Sequence, residues 1–130
     1  MNPEPCPCGR SDAKGRFLAL TDCCAPLHQG ESAPDAERLM RSRYSAFVLG
    51  LTEYLLRTWH ASTRPESVEW EPAAQWLGLE IKDHQITSAD SAEVTFVARF
   101  RVAGRAVRQH ERSRFVHEGG RWWYVDGDVR

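Results

Sequence analysis

Four cysteines carry the most specific chemistry in the sequence. Cys6 and Cys8 stand in a C-P-C-G run at 6–9, Cys23 and Cys24 follow as an adjacent pair, and His28 lies close behind. Two short ligand pairs joined by a spacer can supply a tetrahedral site, and zinc takes four thiolate or imidazole ligands in that geometry. Close pairing lowers the entropy of ordering the site. Gly9 can take backbone angles that aim amides at a coordinated sulfur. The competing reading is free thiols or redox use, but two tight pairs within 19 residues are an unusual way to place structural thiols. Cys6, Cys8, Cys23 and Cys24 are therefore read as ligands of one metal ion, zinc in a structural role, with His28 the alternative to one of the adjacent pair. No open coordination position suggests itself, so the metal is expected to hold structure rather than to react.

The elements that would position this cluster follow from periodicity. Residues 1–30 are rich in Cys, Pro and Gly, show no long periodic pattern, and are read as a metal-ordered segment. Residues 31–130 are read as one domain. A helix should start at Asp35 as N-cap, or at Ser32 if earlier, with Met40, Tyr44, Phe47, Val48 and Leu51 on one apolar face. Gly50 weakens or ends it. Glu53 to Trp59 suits a second, shorter helix, and Pro72 to Leu77 a helical turn closed by Gly78. Strands follow at Leu79–Ile86, Glu93–Val102, Arg105–His117 and Arg121–Asp126, with turns at Ala103-Gly104 and Gly119-Gly120. Helices first and a meander second make an α+β order.

Composition narrows the function classes. At 130 residues and 42% hydrophobic, the chain can build a core. The N-terminal Met-Asn-Pro-Glu-Pro-Cys lacks the basic flank and apolar run of a signal peptide, and no apolar run approaches the ~20 residues of a membrane span. A cytoplasmic protein with no membrane contact is expected, and four cysteines there are thiols or metal ligands rather than disulfides. A net charge of −1 argues against bulk nucleic-acid affinity. Charge is uneven, however. Seven acids and two bases lie between Arg64 and Glu93, and six arginines and one glutamate between Arg99 and Arg114. Such arginines could meet phosphates, but on an exposed strand face they are more simply solvated or paired.

The C-P-C-G-R-S run followed by C-C resembles the SEC-C motif, a short zinc-binding element also found at the C-terminal end of the preprotein translocase ATPase SecA. Further along, L-M-R-S-R-Y-S-A-F at 39–47, T-W-H at 58–60, W-L-G-L at 76–79, V-A-R-F at 97–100, E-R-S-R-F at 111–115 and W-W-Y-V-D-G at 122–127 resemble the YchJ-like bacterial family. The resemblance covers nearly the whole chain. It implies a SEC-C segment followed by a fold like nuclear transport factor two, a curved antiparallel sheet wrapped by helices into a cone. It implies no particular activity.

A candidate pocket follows from strand alternation. Val107, Gln109, Glu111, Ser113 and Phe115 share one face, so if Val107 and Phe115 point inward, Glu111 does too. A buried carboxylate is costly unless paired. Arg43, before Arg41, is the expected partner from the first helix, with Tyr44 beside it. Trp59 and His60 could line the cone mouth, and Trp76, Trp122 and Trp123 are expected in core and cavity wall. Tyr44, His60, Glu111 and Arg43 are thus the ligand-pocket candidates. The leading functional expectation is a non-enzymatic module binding a protein partner. The alternative is a small-molecule enzyme or ligand binder using the cone, for which Glu111 with His60 would be the acid/base pair.

Overall fold

The computed structural model describes residues 4–129. Helices α1 (Ala25–His28), α2 (Ala36–Leu49) and α3 (Thr52–Arg57) precede strands β1 (Gln75–Ser88), β2 (Ser91–Val102), β3 (Arg105–Glu118) and β4 (Arg121–Val129). The strands form one antiparallel sheet in the order β1-β2-β3-β4. The chain is therefore α+β, with a curled four-stranded sheet and few helices.

Local chemistry explains the boundaries of α2. Asp35 accepts a hydrogen bond from the Arg38 amide at 2.8 Å, satisfying a donor that the first turn leaves free. At the other end Gly50 sits at φ +75° and its amide returns to the Ala46 carbonyl, a left-handed cap that costs glycine little. The β2–β3 and β3–β4 connections are two-residue turns, Ala103-Gly104 and Gly119-Gly120, with positive φ throughout. That turn twists in the same sense as its flanking strands.

Sheet curvature comes from irregular register. Breaks occur between Trp76 and Gly78, Ile81 and Asp83, and Ile86 and Ser88 in β1, and at Val125 in β4, which is skipped between the partners of Arg114 and Phe115. Each adds local twist and bends its strand. The helical turn expected at Pro72–Leu77 is not what forms. A short turn held by Glu71 closes at Ala74, and β1 begins at Gln75. Trp76 decides the matter: it pairs with Phe100 across the ladder and packs on Tyr44, Phe47 and Phe100, which outweighs the weak helical signal of a six-residue stretch. Gly78 marks a bulge, not a helix end.

Helix α2 lies on the concave face, against β1, β2 and β4. Leu39, Met40 and Tyr44 from the helix share one buried cluster with Ala92, Val94, Phe96 and Ala98 of β2 and Phe115 of β3. All four cysteines belong to that same cluster, so the N-terminal segment is packed into the main core. On the β4 side, residues Thr58 to His60 run beside Tyr124, bonded through Tyr124 N–H to Thr58 O and His60 N–H to Tyr124 O. This sets Trp59 edge-on against Tyr124 at 4.9 Å.

Candidate functional site

The cysteine cluster is assembled by two small devices. A hairpin-like pairing (Cys6 N–H to Leu18 O, Leu18 N–H to Arg10 O) folds the C-P-C-G run back on itself, and Gly9, at φ +75°, closes that run's turn onto the Cys6 carbonyl. A 3-10 turn at Leu20–Asp22 then delivers Cys23 and Cys24 to the start of α1. The four sulfurs lie within 4.8 Å of one another, all buried. Cys8 and Cys23 are 3.6 Å apart and Cys23 and Cys24 3.9 Å. Four thiolates about 2.3 Å from a central zinc would lie about 3.8 Å apart, so the donor set fits such an ion in kind, number and spacing. The cluster could hold a metal ion.

Its surroundings suit sulfur carrying negative charge. Arg10 Nε donates to Cys23 Sγ at 3.2 Å and Ser45 Oγ donates to Cys24 Sγ at 3.3 Å. Arg41 donates to the Cys8 carbonyl and Arg38 to the Cys23 carbonyl. As bare thiols Cys6, Cys8 and Cys24 resist joint ionisation. A hydrogen bond from Cys24 holds Cys6 far below the usual thiol range, and the same bond drives Cys24 far above it. Cys8 gains a lowering hydrogen bond from Cys24, but its bond to Cys6 and its burial prevail and push it up to about 11. A cation at the centre would remove that conflict. His28 stands apart: Nε2 donates to the Ser42 carbonyl at 2.8 Å and the ring meets Tyr54 edge-on.

The second feature is a cavity of about 280 Å³ between α2 and the concave sheet face. Eight aromatic side chains line it, from Tyr44 and Phe47 on α2 to Phe96 and Phe100 on β2, Trp76 on β1, Tyr124 on β4, and Trp59 and Trp70 from the connecting segments. Gln109, Glu111 and Ser113 of β3 face into it. Glu111 Oε2 accepts from Ser113 Oγ at 2.6 Å and Oε1 from Gln109 Nε2 at 3.3 Å. Gly127 on β4 makes room for this carboxylate, since a Cβ there would meet Oε2 at 2.7 Å. Trp70 covers one side, its ring against Gly50 and its indole N–H on the Phe47 carbonyl at 2.7 Å.

With this geometry in view, the match to known proteins is informative. The family model described as "YchJ, middle NTF2-like domain" matches residues 35–127. The chain belongs to the YchJ family. It is 58% identical over 131 residues to a "UPF0225 protein" of Polaromonas naphthalenivorans, covering 95% of this chain and 96% of that one. A "UPF0225 protein" of Bordetella pertussis is 54% identical, with 99% and 96% covered. Among solved structures, a SEC-C motif containing protein of Rhodopseudomonas palustris superposes with TM-score 0.81 at 32% identity, covering 96% of this chain and 98% of that one. A SEC-C motif containing protein of Psychrobacter arcticus gives the same score and identity, with 95% and 81% covered.

Within the YchJ domain, Arg43, Tyr44 and Glu111 line one cavity, but the expected pairing is not made. Among the described residues no Lys, Arg or His nitrogen lies within 4.0 Å of the Glu111 carboxylate. Arg43 instead donates through Nη1 to the Leu55 carbonyl and Thr58 Oγ1, and its guanidinium lies over Tyr124 at 4.3 Å and Trp59 at 5.2 Å. Burial lowers it to about 10, which leaves it charged at neutral pH. Arg41 points the other way, to Glu37 and the Cys8 carbonyl. The register of α2 is the reason: Arg41 falls on the side of the cysteine cluster, and Arg43 reaches the α3 end before the strand. Burial pushes Tyr44 and Tyr124 up to about 12, so both remain neutral phenols.

His60 is not part of the cavity lining. Its Nε2 meets Glu118 Oε2 at 2.8 Å and its Nδ1 meets Ser62 Oγ at 2.7 Å. The backbone pairing of 58–60 with β4 turns Trp59 inward and His60 toward the β3–β4 hairpin, so Glu111 and His60 do not form an acid/base pair. Val107 shares the Glu111 face but is 40% exposed near the β2–β3 turn. Sequence reasoning missed Trp70, Glu69 and Glu71, which line the cavity from a segment with no periodicity. It also missed Ser45 and Arg10 at the sulfurs. The W-W-Y-V-D-G run contained the one available signal for Gly127, a glycine inside a strand.

Proposed function

We propose that this protein is a small-molecule-binding protein whose ligand sits in the cavity over Glu111, and whose Cys6, Cys8, Cys23 and Cys24 hold a structural zinc ion. The observation that carries the reading is that the Glu111 carboxylate faces an aromatic-walled space and, among the described residues, is held there by neutral donors only. A purely structural carboxylate in such a place would be expected to meet a cation, and a few convergent polar groups inside a concave apolar site are a usual mark of ligand binding. Zinc is favoured by the all-thiolate donor set, by its spacing, and by likeness to SEC-C motif proteins. Its part would be to cross-link the N-terminal hairpin to the α1 start.

Binding without chemistry is the form the geometry favours, since His60 is engaged elsewhere. The protein-partner reading of the metal segment rests on the SEC-C likeness alone and stands second. A cytoplasmic setting is part of the proposal, supported by reduced-thiol chemistry. Ligand-observed NMR with a fragment library tests the reading on metal-loaded protein. Ala98, buried in the cavity wall, supplies the control: Ala98→Phe fills the space. Hits lost in that variant support the proposal. An absence of hits, or hits that survive the filled cavity, would sink it.

A further inference from the structure

We infer that the cavity selects an organic cation, an ammonium group on a compact apolar body; this rests on the ligand-binding reading above and gives that ligand its class. Among the described residues three carboxylates line the cavity, Glu69 and Glu71 from the segment before β1 and Glu111 from β3, against one guanidinium, that of Arg43. Arg43 is engaged by the protein. Its Nη1 serves Leu55 O and Thr58 Oγ1, and its plane lies over Tyr124 and Trp59. Glu111 is the reverse case. Among the described residues its donors are an amide and a hydroxyl, both uncharged.

A cation entering this space would form an ion-paired hydrogen bond to Glu111, stronger than the bonds from uncharged donors already there. Its positive charge would also face ring quadrupoles, which attract cations where water is excluded. An anion would meet three carboxylates, with Arg43, its Nη1 already bonded to Leu55 O and Thr58 Oγ1, as the opposing charge. Glu69 and Glu71 are exposed, and would add attraction at the mouth that salt weakens. The volume limits the ligand. At roughly 30 Å³ per water-sized group, a cavity of about 280 Å³ accepts a body on the order of ten non-hydrogen atoms.

Three probes of one shape and different charge test the class: phenethylamine, phenethyl alcohol and phenylacetate, titrated into metal-loaded protein and followed by tryptophan fluorescence. The amine should bind about tenfold or more tightly than the alcohol, and phenylacetate least. Glu111→Gln should erase the amine's advantage over the alcohol. The double change Glu69→Gln with Glu71→Gln should reduce the salt dependence of amine binding while the variant still melts as the parent does. Equal binding of all three probes, or a preference for phenylacetate, overturns the cation assignment and leaves the cavity reading standing. If none binds at millimolar concentration, both fall.

Discussion

Replacing Glu111 by glutamine separates a structural carboxylate from one held for a ligand. Had Glu111 been half of a buried ion pair, removing its charge would strand the partner at a cost of about 3–5 kcal/mol. The contacts forecast something smaller. Gln109 Nε2 can keep its bond to the remaining carbonyl oxygen, and the Ser113 hydroxyl can rotate to accept from the new amide. Two charge-assisted bonds become two neutral ones, a loss of about 1 kcal/mol each at most. Against this, a carboxylate facing an aromatic cavity no longer needs solvation there. Arg43 loses a distant attraction but no hydrogen bond. The net change should fall within about 1 kcal/mol of the parent, or roughly 5 °C in melting temperature for a domain of this size. Urea and thermal melts of metal-loaded protein measure it. A loss of about 3 kcal/mol or more would show that Glu111 anchors the fold, and the reasoning about its neutral partners would be wrong.

Three further outcomes are expected. Because the cysteines share one core cluster with Leu39, Met40 and Tyr44, stripping the metal should lower the melting temperature of the whole domain by more than about 10 °C, since structural zinc can supply ~10 kcal/mol; hydrogen exchange confined to residues before Ser32 would contradict this. Gly50→Ala places a non-glycine residue at φ +75° and a Cβ 2.9 Å from the Trp70 ring, so it should cost about 2 kcal/mol and shift Trp70 emission. All three tyrosines are held above their usual value, burial being the first cause in each. A raised folded value means that the stabilising protonation is complete below pH about 10 and is lost as pH rises toward about 12. Tyrosinate absorbance should therefore show no step near pH 10 in folded protein, and a step there would place a phenol in water.

Much of the fold and of the cysteine cluster was legible in the residues themselves. Asp35, the 40/44/47 spacing and Gly50 define α2 because capping and periodicity are local properties. The alternation in Glu93–Val102 and the Ala103-Gly104 and Gly119-Gly120 turns define the meander for the same reason. Cys6, Cys8, Cys23 and Cys24 declared a common site because soft ligands in close pairs have few other uses. What local chemistry could not settle was anything decided by contacts between distant residues. Trp76 became a strand residue because Phe100, Tyr44 and Phe47 were there to receive it. Arg43 turned to Leu55 and Tyr124 instead of Glu111, and Arg41 to Cys8, because the helix's rotation against the sheet assigns each side chain a neighbour that spacing does not specify. The cavity likewise exists only in three dimensions. Sheet curl holds α2 and β3 apart over Glu111, and Trp70 closes one side from a segment with no pattern of its own. A sequence names the groups able to carry charge; which of them face one another across an apolar space is a property of the folded packing alone.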